Sequence, residues 1–349
     1  MKSCVRKINM LLGILCLSVC FTGCGNRQLK ISASDVAMGT VVQKTLYVED
    51  EQLGKTAMEE IDACIERYET EVLSWREDGS QVARINADAG KEEGSPLEPD
   101  LETELQKIRE ISQKSDGALD VTIGQVTRLW NLDKWSMGSE EEQNFAPPSQ
   151  EDINALLEVA GYEKVEIKNG RIYLPTLMQL DLGAVGKGIV CDKIGEYLRE
   201  QTGITGAVIT LGGSVVTYGT KPDGNSWQVA VAHPREDGSY LGTLSLQGEY
   251  YVATSGDYER YVELNGTRYH HIMDPSTGYP ADTNVCSVTI ISESGLVSDA
   301  LSTACFVLGV EEGMALAEEY GAQALFVTKD MEIIMTQGMD ALFNESRKD

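Results

Sequence analysis

The sequence predicts an α+β fold, a single domain of mixed strands and helices, on three observations. Apolar residues recur at three- and four-residue spacing through much of the first half, whereas the second half carries short strand-like runs. Asn265-Gly266, flanked by two such runs, is the strongest short hairpin signal in the chain. Neither an internal repeat nor a linker divides the two halves.

The elements follow in order. Residues 41–48 read as a first strand behind a tether at 25–35. Ala57, Met58, Ile61, Cys64, Ile65 and Tyr68 share one face of an amphipathic helix over 50–72. An acidic loop at 91–99 leads to a second helix over 100–115, with Leu101, Leu105, Ile108 and Ile111 on its apolar face and Gly117 as its stop. The polar stretch 133–148, with three consecutive glutamates and Pro147-Pro148, reads as a mobile surface loop. A third helix is expected from Ser149 to Gly161, and another after 181–183. Strands are predicted at 207–211, 227–232, 241–246, 251–253 and 285–291, with 260–264 and 268–272 forming the Asn265-Gly266 hairpin. Helices at 297–308 and 311–320 precede a final two-stranded hairpin.

Charge narrows the function. The chain has 349 residues, 55 acidic against 29 basic, and a net charge of −26. So acidic a surface argues against nucleic acid, which requires clustered Lys and Arg. It also sets a problem for any anionic substrate, which needs a local cation. Lys2, Arg6 and Lys7 precede an apolar run at 10–21, the pattern of an export leader and too short to span a bilayer. The FTGC stretch at 21–24 resembles a bacterial lipobox, in which Cys24 is lipidated and becomes the first mature residue. Leader removal takes away three positive charges and no acid, moving the net charge from −26 to −29. The division expected is therefore a signal peptide at 1–23, lipidated Cys24 with its tether at 24–35, and one catalytic domain at 36–345. Of eight cysteines, Cys64, Cys191, Cys286 and Cys305 lie beyond the leader, each in an apolar stretch suited to a buried thiol.

Four segments carry chemistry. DLGAVGKG (181–188) leads into a helix, where glycines allow close backbone approach and Lys187 adds charge, a natural place for phosphate. LGGS (211–214) follows a strand and by itself needs no role beyond a tight turn. TSGDYER (254–260) is followed by HHIMDPSTGYP (270–280), and strand geometry sends the His270 and His271 rings to opposite faces, so at most one serves a given site. SDALSTA (298–304) puts Asp299 and Thr303 four residues apart on one helical face. Their oxygens suit Mg²⁺, although a helix start alone would explain them.

In this order, together with MGT (38–40), SWREDGS (74–80) and GALD (117–120), these segments resemble the ApbE family of FAD:protein FMN transferases, many of them exported lipoproteins. The resemblance spans about residues 36–340 and implies a T-fold-like single domain. It also implies FAD contacts at Met38, Trp75 (usually Tyr in the family), Ala118, Leu119 (usually Phe), Asp120, Asp181, Lys187 and Ile272. Mg²⁺ would be held by the Ala184 carbonyl, Asp299 and Thr303, with Ser302, where some members carry Asp, as a further donor. His271 matches the family's candidate base, and Lys187 would stabilise phosphate charge in the transition state. The implied reaction moves FMN from FAD to a Thr hydroxyl of an acceptor protein and releases AMP. Acceptors in the family are membrane electron-transfer subunits and exported flavoproteins, reached here from a lipid anchor on the outer face of the cytoplasmic membrane. An FAD pyrophosphatase and a non-catalytic flavin-binding lipoprotein remain as alternatives.

Overall fold

A two-residue hairpin begins the computed structural model, which describes residues 28–135 and 144–346. Strands β1 (Leu29–Ala37) and β2 (Thr40–Val48) pair along their full length. The turn residues Met38 and Gly39 both take positive φ, 51° and 69°, the backbone that suits a twisted two-residue hairpin. Leu29–Ala37 thus occupies most of the stretch expected as tether. The expectation failed because β1 is an edge strand, and its polar Lys30, Ser34 and Asp35 face solvent. The leader and Cys24 lie outside the described residues.

Helix α1 (Glu51–Arg67) starts at Asp50, whose carboxylate accepts from the Leu53 amide, and continues into a π-helical turn, Tyr68–Leu73. After α2 (Gln81–Ala87) and the two-residue β3 (Ser95–Pro96), α3 (Pro99–Lys114) carries the predicted apolar face. It ends where Gly117, at φ 81°, donates to the Ser112 carbonyl. Short helices α4 (Gly124–Trp130) and α5 (Leu132–Trp135) come next, then α6 (Gln150–Leu157), which Ser149 caps. α6 therefore stops before Gly161. The predicted loop at 133–148 is anchored on both described flanks: Phe145 is buried against Trp130, Trp135 and Tyr269. Residues 136–143 lie outside the described residues.

A hairpin of β4 (Glu166–Lys168) and β5 (Arg171–Tyr173) precedes α7 (Gly186–Glu200). The second half runs β6 (Ile204–Leu211), β7 (Ser214–Gly219), β8 (Trp227–Ala232), β9 (Tyr240–Leu246) and β10 (Tyr250–Gly256). The Asn265-Gly266 hairpin joins β11 (Tyr261–Leu264) to β12 (Thr267–His270) with both turn residues at positive φ. β13 (Val285–Ser292), α8 (Gly295–Leu308) and α9 (Val310–Glu319) follow. The chain closes with β14 (Gln323–Thr328), β15 (Ile333–Met335) and β16 (Phe343–Glu345). No helix among the described residues is long and apolar enough to cross a membrane.

Eight strands form one antiparallel sheet in the order β1-β2-β6-β7-β10-β13-β14-β15. Helices α1, α7 and α8 bury their apolar faces on one side, where Ile61, Ile189, Val288, Ile290 and Leu301 belong to a single core. The opposite face meets the small sheet β16-β9-β8 through Trp227, Leu244, Leu246, Cys286 and Ile291. Because successive residues of β13 serve opposite layers, it is an almost continuous apolar run. Burying such cores contributes roughly 25 cal/mol per Å² of apolar surface removed from water. The helical layer also fixes the site, since α8 crosses both α7 and the adjacent strands β7 and β10.

Candidate active site

The close crossing of α7 and α8 is built on two glycines. A Cβ on Gly188 would stand 2.6 Å from Asp299 Cβ and collide with the Gly295 backbone. With only hydrogen there, the Gly188 amide donates to Asp299 Oδ2 at 2.8 Å. Asp299 Oδ1 receives a longer 3.4 Å contact from the Ser214 hydroxyl at the start of β7. The glycine-rich segment 181–188 and the head of α8 are therefore joined through one carboxylate.

Hydroxyls surround it. Ser302 donates to the Asp299 carbonyl at 2.8 Å, and the Ser255 oxygen on β10 lies 2.8 Å from Ser302 Oγ and 3.3 Å from Thr303 Oγ1. Asp299 and Thr303 sit one turn apart, as expected, and Ser302, the expected further donor, lies between them on the same helix. Its side chain is fully buried, with its hydroxyl proton on the Asp299 carbonyl and the Ser255 hydroxyl as its other neighbour. An all-oxygen set of carboxylate, hydroxyl and backbone carbonyl (Asp299, Thr303, Ala184) has the chemistry a hard cation such as Mg²⁺ prefers. No cluster of three His, Cys, Asp or Glu side chains occurs among the described residues, so a cation here depends on such mixed donors.

At the other end of the segment, Asp181 Oδ1 accepts from the Gly183 amide at 2.9 Å. Burial raises its pKa, although the Gly183 hydrogen bond and the positive charges of Arg76, Arg128 and Arg260 oppose that rise. Trp75 lies between two of these cations, with Arg76 4.1 Å and Arg128 4.2 Å from its ring. Met38 reaches the start of α7, where its Cε would stand 3.8 Å from a Cβ on Gly186. Four basic groups thus gather where the acidic chain needs them: Lys187, Arg76, Arg128 and Arg260.

The histidine pair divides as strand geometry requires. His270 is buried edge-on against Phe306, its Nδ1 accepting from the Ile272 amide and its Nε2 at 3.1 Å from the Ala281 carbonyl. This makes it a neutral structural residue. His271 keeps Nδ1 3.3 Å from the Arg260 carbonyl, a contact that assigns the ring proton to Nδ1 and leaves the Nε2 lone pair open. Burial, reinforced by the charges of Arg260 and Lys187, holds its pKa well below the usual histidine value.

The other residues expected to contact FAD are hydrogen-bonded to or packed against neighbouring protein groups. Asp120 Oδ1 accepts from the Thr122 amide and hydroxyl, and Oδ2 from the Tyr162 amide. Leu119 and Ile272 are buried in the core, and Ala118 is nearly so. LGGS proves to be the two-residue turn between β6 and β7, with Ser214 as its useful residue. Sequence reasoning did not single out Arg76, Arg128, Arg260, Ser214 or Ser255. All but Arg128 lie inside the quoted motifs, and Arg128 reaches Trp75 only because α4 packs beside it. The four cysteines of the described region are unpaired, three of them buried, as expected.

Comparison with known proteins places this geometry in context. A model of the ApbE family matches residues 38–326. A FAD:protein FMN transferase of Klebsiella pneumoniae is 35% identical over 310 residues, covering 87% of this chain and 91% of that protein. One from Vibrio cholerae is 32% identical over 311 residues, covering 88% and 90%. The fold superimposes on the crystal structure of the ApbE protein from Thermotoga maritima with a TM-score of 0.78 at 30% identity, covering 90% of this chain and 100% of that one. The flavin transferase ApbE from Vibrio cholerae gives 0.77 at 28% identity, covering 90% and 99%.

Proposed function

The chain belongs to the ApbE family, and on that premise we propose that it moves FMN from FAD to a Thr hydroxyl of an acceptor protein with the help of Mg²⁺. It is a flavin transferase, and FAD is its substrate. The observation that carries the finer reading is the Gly188–Asp299 bond, which joins a glycine-rich helix start to a carboxylate one turn from a hydroxyl.

At the N-terminus of α7 the Gly186 amide donates to the Leu182 carbonyl and the Gly188 amide to Asp299, so what this end offers the FAD pyrophosphate is chiefly the helix dipole. Lys187 adds a positive charge within the first turn. Arg76 and Arg128 are stacked on the Trp75 ring, so flavin stacking there requires one of them to move aside, and Met38 covers the glycine turn. Asp299, Thr303 and the Ala184 carbonyl would hold Mg²⁺. When bound, that ion neutralises pyrophosphate charge and makes the phosphorus more electrophilic.

His271 removes the acceptor proton. Its neutral ring accepts it at Nε2 as the Thr oxygen bonds to the FMN phosphorus. The bond from that phosphorus to the AMP oxygen breaks, and AMP leaves with the bridging oxygen and its electron pair. Lys187 faces the negative charge that grows on the departing phosphate. Cys24 anchors the enzyme to the outer face of the cytoplasmic membrane, where exported flavoproteins and membrane electron-transfer subunits would present the acceptor Thr.

The test is incubation of the full-length protein in detergent with FAD, Mg²⁺ and candidate acceptors, read by mass spectrometry. FMN in phosphoester linkage to Thr, with stoichiometric AMP, is the expected product. Free FMN and AMP without acceptor modification would replace transfer by hydrolysis. Loss of membrane association in Cys24→Ala is the matching test of the anchor.

A further inference from the structure

Proton bookkeeping around Asp299 gives the buried hydroxyls a direction. Ser302 has one proton, and it is committed to the Asp299 carbonyl at 2.8 Å. The 2.8 Å contact between Ser302 and Ser255 must contain a proton, since two oxygen lone pairs at that distance repel. Only Ser255 can supply it. The Ser255 oxygen is then left with lone pairs alone toward Thr303, 3.3 Å away, so the Thr303 hydroxyl is the donor there.

We propose that Ser255 and Ser302 are positioning residues forming a one-way hydroxyl relay, Thr303 to Ser255 to Ser302 to the Asp299 carbonyl, that turns the Thr303 lone pairs toward the metal position. The proposal rests on the reading of Asp299 and Thr303 as cation ligands. Its physical content is polarity. A hydroxyl ligates a cation through a lone pair, and one that directs its proton at the cation repels it. A free Thr rotor spends part of its time in that wrong orientation. With its proton held by Ser255, it does not. The relay ends on the backbone of Asp299, so the carboxylate and hydroxyl donors are tied into one unit.

The roles of the two serines then differ. Removing the Ser255 hydroxyl frees the Thr303 rotor. Removing the Ser302 hydroxyl leaves the Ser255 proton without an acceptor, so it turns to Thr303 and drives that proton outward. Ser302 therefore affects the cation without touching it.

The experiment titrates Mn²⁺, as a reporter for Mg²⁺, into full-length protein in detergent and reads free Mn²⁺ by electron paramagnetic resonance, with no turnover required. Ser255→Ala and Ser302→Ala should each weaken Mn²⁺ binding about 3- to 10-fold, the value of one buried hydrogen bond. Ser255→Thr keeps the hydroxyl and should bind as wild type. In a Thr303→Ala background, adding Ser255→Ala should change nothing, because the relay then has nothing to orient. Ser302 is fully buried, so thermal unfolding accompanies each titration, and if Ser302→Ala does not fold the Ser255 pair decides. Wild-type affinity in folded Ser255→Ala, alongside lost binding in Asp299→Ala, overturns the relay and leaves the cation site standing. Undiminished binding in Asp299→Ala overturns the cation site, and the relay with it.

Discussion

Two aspartates at opposite ends of the α7–α8 contact illustrate how the same side chain serves different ends. Asp192 on α7 accepts from the Ser294 hydroxyl at 3.0 Å and from the Gly295 and Leu296 amides at 2.6 and 2.9 Å. It satisfies the orphan donors at the start of α8 and has little capacity left. Asp299 has one short bond, from Gly188, and one long contact, from Ser214. A carboxylate with its partners supplied by the protein is scaffold. One left with free lone pairs beside a helix N-terminus and a hydroxyl can bind a ligand. The difference lies in the neighbours rather than in the residue.

That contrast breaks first at Asp299. Asp299→Ala should lower FMN transfer by on the order of 10³-fold or more, as expected for loss of a cation ligand, while stability falls by only the cost of the lost Gly188 bond, about 1–3 kcal/mol. A rate near wild type would place Asp299 among the scaffold carboxylates.

His271→Ala should come next, losing about 10²-fold in transfer while retaining FAD affinity by equilibrium titration. Since its pKa is held below the ordinary 6.5, the acid limb of the wild-type rate profile should fall below pH 6.5. The stability sign agrees. The folded ring resists protonation, so its contribution is complete above 6.5 and is lost as pH falls below that value. An acid limb centred above 6.5 would remove His271 from the proton transfer.

Asp192→Ala should reverse the pattern, costing about 1–3 kcal/mol in denaturant unfolding through loss of the α8 cap while changing transfer by less than tenfold. A collapse of activity at full stability would make the two aspartates alike.

The smallest effect is expected at Glu104, a buried carboxyl 3.5 Å from Lys193 whose other oxygen has no partner. Burial pushes its pKa up to about 7 from 4.5. Folding therefore favours its protonated form, and stability declines as pH rises from 4.5 through 7. Glu104→Gln should flatten that decline, raising stability at pH 8 by about 1 kcal/mol without altering transfer. Unchanged pH dependence would assign the decline to other groups.

Local chemistry made much of the architecture legible. Asp50 and Ser149 cap the helices expected to begin at them, Gly117 stops α3, and Asn265-Gly266 makes its hairpin. These depend on a residue and its immediate neighbours. β1 was missed because an edge strand need not alternate cleanly, and β7 because LGGS obscured the strand that follows it. The flanks of the 133–148 stretch were read as mobile from polarity, yet Phe145 is anchored by aromatic partners as distant in sequence as Tyr269.

By itself, the sequence determined the α+β class, the order of the motifs, the family they resemble and the pairing of Asp299 with Thr303 on one helical face. Tertiary structure alone decided which polar groups retain unused capacity. It filled the lone pairs of Asp120 and Asp192, turned Ser302 inward, and separated His270 from His271. It also brought Arg76, Arg128, Arg260 and Lys187 to bear on a site within a chain of net charge −26. The reason is physical: motif spacing specifies where a side chain begins. Hydrogen-bond capacity and electrostatic environment depend on what packing places beside it.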